Sequence, residues 1–197
     1  MGICCVLIST SDDTIERLHA EPALIWRWYL PDEPDPYLAE IGAGRKPGML
    51  ARLFGAVETP VPDPLPVLPG AGDGRLEVDL DKSWDGINFC LKRIAADRSK
   101  SLFDDGAAIG NVEVGYGPAS SFSANDVANL AAAIAPVDSE RLLAAFEPTA
   151  MRNTYPEALW ERDDEDTREY LTEHFAALQS FLYATAEQGF GLIVIYT

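Results

Sequence analysis

Histidine and cysteine, the side chains that most often build metal centres and covalent catalytic sites, are scarce here. The 197 residues include two histidines, His19 and His174, and three cysteines, Cys4, Cys5 and Cys90. No C-x-x-C spacing occurs, and Cys4 and Cys5 are neighbours, so on a strand they point to opposite faces. A zinc site of ordinary ligand spacing is therefore without support, and neither a metal nor any other cofactor is expected. No Ser or Cys occupies a Gly-x-Ser-x-Gly elbow, which removes the sequence support for a triad hydrolase. The Gly-x-x-x-x-Gly-Lys-Ser/Thr spacing of a phosphate loop is missing too, and Gly42-Ala43-Gly44 follows no convincing strand. Positive charge is the other shortage. Fifteen Lys and Arg stand against thirty-two Asp and Glu, a formal charge of −17. Such a surface repels phosphate backbones, whose binding rests on Lys and Arg releasing counterions. No nucleic acid is expected as a partner, and anionic membranes are disfavoured for the same reason. No segment approaches the ~20 apolar residues of a membrane span, and no basic n-region precedes the first apolar run. The thiols then read as reduced, partly buried groups of a cytoplasmic protein.

What is present is the pattern of one globular domain. The length suits a single domain, and a hydrophobic fraction of 47% is enough for a sizeable core. Gly2 to Ile8 is a compact apolar run that reads as a buried strand. Ser11 offers a helix cap, with Asp12 and Asp13 at the positive end of the dipole, and the helix runs to about His19. Pro22 opens a second helix carrying Leu24, Ile25, Trp26, Trp28 and Tyr29. Ten of the fourteen prolines lie between Pro22 and Pro69. Pro60, Pro62, Pro64 and Pro66 alternate and force extended backbone, and glycines follow, so Glu58 to Gly74 reads as a surface loop. Leu76 to Leu80 alternates as a short strand that runs into a helix capped by Asp81, whose apolar positions are Trp84, Ile87, Leu91 and Ile94. Asn111 to Tyr116 reads as a half-exposed strand broken by Gly117-Pro118. Ser123 with Asp126 is a capping-box-like start for a helix through Val127, Leu130 and Ile134; a further helix carries Leu142, Leu143 and Phe146. Asp163 to Gln188 is the longest helix, with Leu171, Phe175, Leu178 and Leu182 on one face and Gly189 at its end. Phe190 to Tyr196 is a near-continuous apolar strand, which places it in the middle of a sheet, buried on both faces.

Five pieces in this order resemble the YfbM-like family, small bacterial proteins catalogued as a domain of unknown function. They are Met1-Gly2 before the first strand, Leu80-Asp81-Lys82-Ser83-Trp84, the Gly115-Tyr116-Gly117-Pro118-Ala119 turn, Tyr155-Pro156 with Trp160, and the long aromatic helix leading into the last strand. The resemblance spans most of the chain and is densest after Leu76. It implies one compact domain in which helices pack against a mixed sheet. The fold class expected is accordingly α/β or α+β, with residues 1–197 as a single domain. Two departures stand out. Members of the family often have histidine where Asn88 stands, and the proline-rich loop is long here. An amide does not titrate near neutrality, so Asn88 cannot repeat acid–base chemistry of a histidine.

Several polar and aromatic residues converge on strand-to-helix junctions, where α/β folds tend to place ligands. Asp81, Trp84, Asn88 and Tyr116, joined by Tyr155, form the candidate ligand site. Each also has a structural reading. Asp81 serves as a helix cap and Asp79 as the exposed face of an edge strand. Trp84 packs in the core with its indole N–H bonded to Asp81 or Asn88, one turn away on either side. His19 suits the negative end of its helix, and His174 reads as a half-buried structural histidine. The function expected is that of a non-enzymatic acidic binding protein, with an immunity-type protein that neutralises a basic toxin as one version. The alternative is an enzyme or small-ligand binder with its pocket at the five residues above. A homo-oligomer joined through exposed Trp26 and Trp28 is the third class, although core packing accounts for at least one of the two.

Overall fold

The computed structural model describes residues 2–44, 57, 59–70, 75–94 and 101–197. Strand β1 (Cys5–Thr10) leads into α1 (Asp12–Ala20), a 3₁₀ turn at Pro22–Leu24, α2 (Ile25–Tyr29) and α3 (Pro34–Glu40). Then come β2 (Glu77–Asp79), α4 (Trp84–Ile94), β3 (Ala107–Glu113), β4 (Pro118–Phe122), α5 (Ala124–Ile134) and α6 (Ser139–Ala145). The short α7 (Glu157–Trp160), the long α8 (Glu165–Glu187) and β5 (Gly191–Tyr196) complete the chain. The strands form one sheet in the order β2-β1-β5-β4-β3.

The central strands explain the apolar ends of the sequence. β1 and β5 pair along their whole length, Cys5 opposite Tyr196 and Thr10 opposite Gly191. Because side chains alternate along a strand, Cys5, Leu7, Leu192 and Val194 enter one core, shared with α4, α5, α6 and α8. Val6, Ile8, Ile193 and Ile195 enter a second core, covered by α1, the 3₁₀ turn, α2 and α3. Helices therefore cover both faces of one sheet, the expected class of helices packed on a sheet in a single domain. The sheet itself is not mixed: every pairing in it is antiparallel. A continuous apolar run reports burial on both faces, not strand direction. Parallel sheets usually supply that burial; here an antiparallel sheet with two helical layers does.

Local signals fix several helix ends. Ser11 accepts the Thr14 N–H at the start of α1, and Ser123 and Asp126 complete both halves of the capping box of α5. Gly189, with φ of 67°, ends α8. Ser83, not Asp81, precedes the first residue of α4, and the Asp81 carboxylate bonds to Cys4 and Tyr170 in place of the expected cap. The strand expected over 111–116 lies earlier, at β3, and β4 carries no alternating signal in the sequence. Its Pro-Ala-Ser-Ser-Phe run has little β-propensity, and pairing with β5 holds it in place. Tyr116 thus sits in the turn of a hairpin, not at a strand-to-helix junction.

Trp28 is wholly buried and is the tryptophan that core packing accounts for, while Trp26 is half-buried against the second core. Residues 59–70 run over the surface without helix or strand, with Leu68 buried beneath them. Glu58 and residues 71–74 of the proline-rich loop lie outside the described residues. No described helix is long and apolar enough to cross a membrane.

Candidate functional site

The chain leaves β2 at Asp79 and turns at once into α4. Asp81 makes that turn with φ of 43°, a left-handed conformation that Asp tolerates better than most residues. Asp79 Oδ1 accepts the Asp81 N–H at 2.7 Å and holds the turn. The Asp81 carboxylate points the other way. Its Oδ1 accepts the Cys4 thiol at 3.1 Å and its Oδ2 the Tyr170 hydroxyl at 2.9 Å. Tyr170 in turn accepts the Lys82 N–H at 3.1 Å. Burial pushes the Asp81 carboxyl up, but the bonds from Cys4 and Tyr170 and the charge of Lys82 outweigh it and leave it below its usual value. Desolvation, with the bond to Asp81, raises the Tyr170 hydroxyl. The bond to Asp81 chiefly raises the Cys4 thiol, which suppresses its thiolate and with it nucleophilic reactivity.

Trp84 opens α4 beside this turn. Its indole N–H donates to the Ile3 carbonyl at 3.2 Å, so neither Asp81 nor Asn88 is its partner. The ring stacks on Tyr155 at 6.2 Å and 28°, meets Tyr196 edge-on at 4.9 Å, and lies 6.2 Å from Phe103. Tyr155 accepts the Ile3 N–H on its hydroxyl at 2.6 Å and gives its own N–H to Asp85 at 2.7 Å. Its carbonyl takes the indole N–H of the buried Trp160 at 3.0 Å. Asp81, Trp84 and Tyr155 are therefore brought together, around the backbone of Ile3 and Cys4.

Asn88, one helical turn beyond Trp84, belongs to a different cavity. It is buried at 5% exposure. Its amide donates to Asp104 Oδ2 at 3.3 Å and accepts from the Ser101 hydroxyl at 3.1 Å. Asp104 also accepts from Ser101 at 2.6 Å and pairs with Lys92 at 2.8 Å. Burial pushes Asp104 up, yet the bonds from Lys92, Ser101 and Asn88 and the Lys92 charge keep its carboxyl below the usual range. Asp105 accepts the Ser101 N–H at 2.6 Å. These groups form the polar side of a cavity of about 410 Å³, and Leu91, Leu130, Ile134, Leu178 and Leu182 form its apolar wall. Phe103 lines the same cavity and touches Trp84, so one aromatic ring separates the two sites.

Tyr116 joins neither. Its side chain is 50% exposed, and its backbone N–H donates to the Tyr196 carbonyl at 2.8 Å. Cys4, Tyr170, Ser101 and Asp104 were not anticipated from the sequence. Tyr170 alone carried a local signal, as a polar aromatic beside the apolar stripe of α8 and one turn from His174, whose ring it meets at 4.3 Å. His174 Nδ1 lies 2.8 Å from the Tyr170 carbonyl, and His19 Nε2 lies 2.8 Å from the Ser121 hydroxyl.

A family model described as "Domain of unknown function (DUF1877)" matches residues 1–195. Among solved structures, the crystal structure of YfbM from Escherichia coli, titled a protein of unknown function, matches with a TM-score of 0.50 at 14% identity. The match covers 98% of this chain and 99% of that one, and at such identity it speaks for the fold alone. No curated protein matches.

Proposed function

The chain belongs to the DUF1877 family, and from that premise we propose, on geometry, that it is a small-molecule-binding protein whose ligand fills the cavity beside Asn88. One observation carries the reading. A space of about 410 Å³ combines an apolar wall with a cluster of convergent polar groups. Ligand sites are commonly ~300–1,000 Å³ and built in just this way. The wall takes an apolar body. The polar side sets the head group. Lys92 is already paired with Asp104, which leaves the Asp105 carboxylate as the surplus charge. The favoured ligand therefore has an alkyl or ring body and an ammonium or hydroxyl head.

Titrating octylamine, octanol and octanoate into ¹⁵N-labelled protein tests this. The amine and the alcohol should shift the amides of Asn88, Ser101 and Asp104 saturably, and the carboxylate should not. Asn88→Ala should weaken that binding by about tenfold, the value of one buried hydrogen bond of ~1.4 kcal/mol. Binding that ignores both head group and Asn88→Ala sinks the reading.

A second reading has its own support. Glu157, Glu161, Asp163, Asp164, Glu165 and Asp166 are all exposed around the start of α8. Such a face suits a basic protein partner, an immunity-type partner of a basic toxin being one version. A pull-down from the native host at low and high salt tests it. A stoichiometric basic partner lost at high salt supports it, and an empty or salt-independent result counts against it.

A further inference from the structure

We propose that a surface depression of about 460 Å³, bounded by Gly2, Lys82, Tyr155, Pro156, Arg162 and Tyr170, binds a small oxyanion, the phosphate or carboxylate head of a soluble metabolite. Asp81 is the one carboxylate among the described residues lining the depression, and both its oxygens are taken, by Cys4 and by Tyr170. The donors are not spent. The Lys82 ammonium and the Arg162 guanidinium make no direct side-chain hydrogen bond or ion pair with a described residue, although at longer range the Lys82 charge acts on Asp81 and the Arg162 charge on Asp164. The Tyr155 hydroxyl accepts from Ile3 N–H, and its own proton has no acceptor among the described residues. Three donors with no direct acceptor among the described residues, two of them cationic, thus line one concave space beside the single carboxylate of Asp81.

Chemistry of this kind selects an anion. In a chain of net charge −17, a hollow lined by two cations and the one carboxylate of Asp81 carries a formal charge of 2 − 1 = +1 among its lining residues. The surroundings are also rigid. Tyr155 is stacked on Trp84, and the Tyr170 hydroxyl is fixed by Asp81 and the Lys82 N–H. The absence of a side chain at Gly2 makes room for Lys82 and the Tyr155 hydroxyl, both of which a Cβ there would strike.

The test is a titration of inorganic phosphate into ¹⁵N-labelled protein at constant ionic strength, with chloride exchanged for phosphate. A parallel arm uses succinate. Saturable shifts at the Gly2, Lys82 and Arg162 amides are expected, and the arm with the stronger response names the head group. Arg162→Gln and Lys82→Met should each weaken binding by at least about tenfold, as for loss of a charge-assisted hydrogen bond. Lys82→Met keeps the aliphatic stem beside Gly2. Should it fail to fold, Arg162→Gln, at an exposed position, is sufficient by itself. Shifts that stay linear in both anions overturn the proposal, and so does saturable binding that Arg162→Gln leaves unchanged. The amides read here differ from those around Asn88, so this site and the cavity stand or fall separately.

Discussion

The Asp81 carboxylate ties its turn to the segment leading into β1 and to α8, and its charge is what those two bonds depend on. Its folded-state carboxyl lies below its usual value because donors from Cys4 and Tyr170, with the Lys82 charge, outweigh desolvation. A depressed carboxyl contributes stability that is fully present above its unfolded value of about 3.9 and is lost as pH falls through its folded value. Asp81→Asn keeps the size and the tolerance for the left-handed turn but removes the charge. At pH 7 it should cost about 1 kcal/mol, below the ~1.5–3 kcal/mol of charged hydrogen bonds because the group is partly exposed. Thermal unfolding of both proteins should show that gap at pH 7 and show it narrower at pH 3. An equal gap at both pH values would mean that shape, not charge, is what position 81 needs. The sequence marks Asp81 as a junction residue, but its partners lie 77 and 89 positions away, and no local pattern announces a bond of that range.

At the scale of elements, α4 is held against α7 through a glycine. Gly86 faces the ring of Trp160, which is wholly buried, and a Cβ at 86 would fall inside van der Waals distance of that ring. Two effects oppose each other in Gly86→Ala. Helix propensity favours alanine by up to ~1 kcal/mol. Overpacking a filled core costs ~1–3 kcal/mol. Trp160 has little room to retreat, because its indole N–H is tied to the Tyr155 carbonyl at 3.0 Å and its ring meets Phe146 edge-on. Packing should win, with a net loss of about 1–2 kcal/mol by urea unfolding. A variant as stable as the parent would show that the Trp160 ring can shift.

The same elements show where sequence reading works. Helices with an apolar stripe and a polar cap, such as α5 and α8, were legible because both signals are local. β1 and β5 were legible as buried strands because burial on both faces leaves an unbroken apolar run. β4 was not, because Ser120 and Ser121 owe their place to pairing with Val194 and Ile193. Of the candidate site, the Asp81–Trp84–Tyr155 grouping was legible as residue types at junctions. The cavity at Asn88 was not, since Ser101 and Asp104 come from a segment with no periodicity.

The whole molecule is governed by its charge. Among the described residues Glu77 pairs with Arg75, Asp104 with Lys92, Glu147 with Arg93 and Asp163 with Arg168, but thirty-two Asp and Glu outnumber fifteen Lys and Arg. The remaining surplus of a chain at −17 repels itself, and compaction brings those charges closer than they stand in the unfolded chain. Salt acts on that repulsion directly. The screening length falls from ~30 Å at 10 mM to ~8 Å at 150 mM. Raising sodium chloride over that range should therefore stabilise the fold by about 1 kcal/mol, an increase in Tm of roughly 2–4 °C for a chain of this size. Calorimetry at pH 7.5 in a buffer free of phosphate and carboxylate measures this without loading the Lys82–Arg162 depression. A basic partner would respond with the opposite sign, because the same ions that relieve self-repulsion weaken an attractive interface. A Tm that stays flat or falls between 10 and 150 mM would show that the carboxylates are balanced locally. In that case the acidic field is too weak to steer a basic partner.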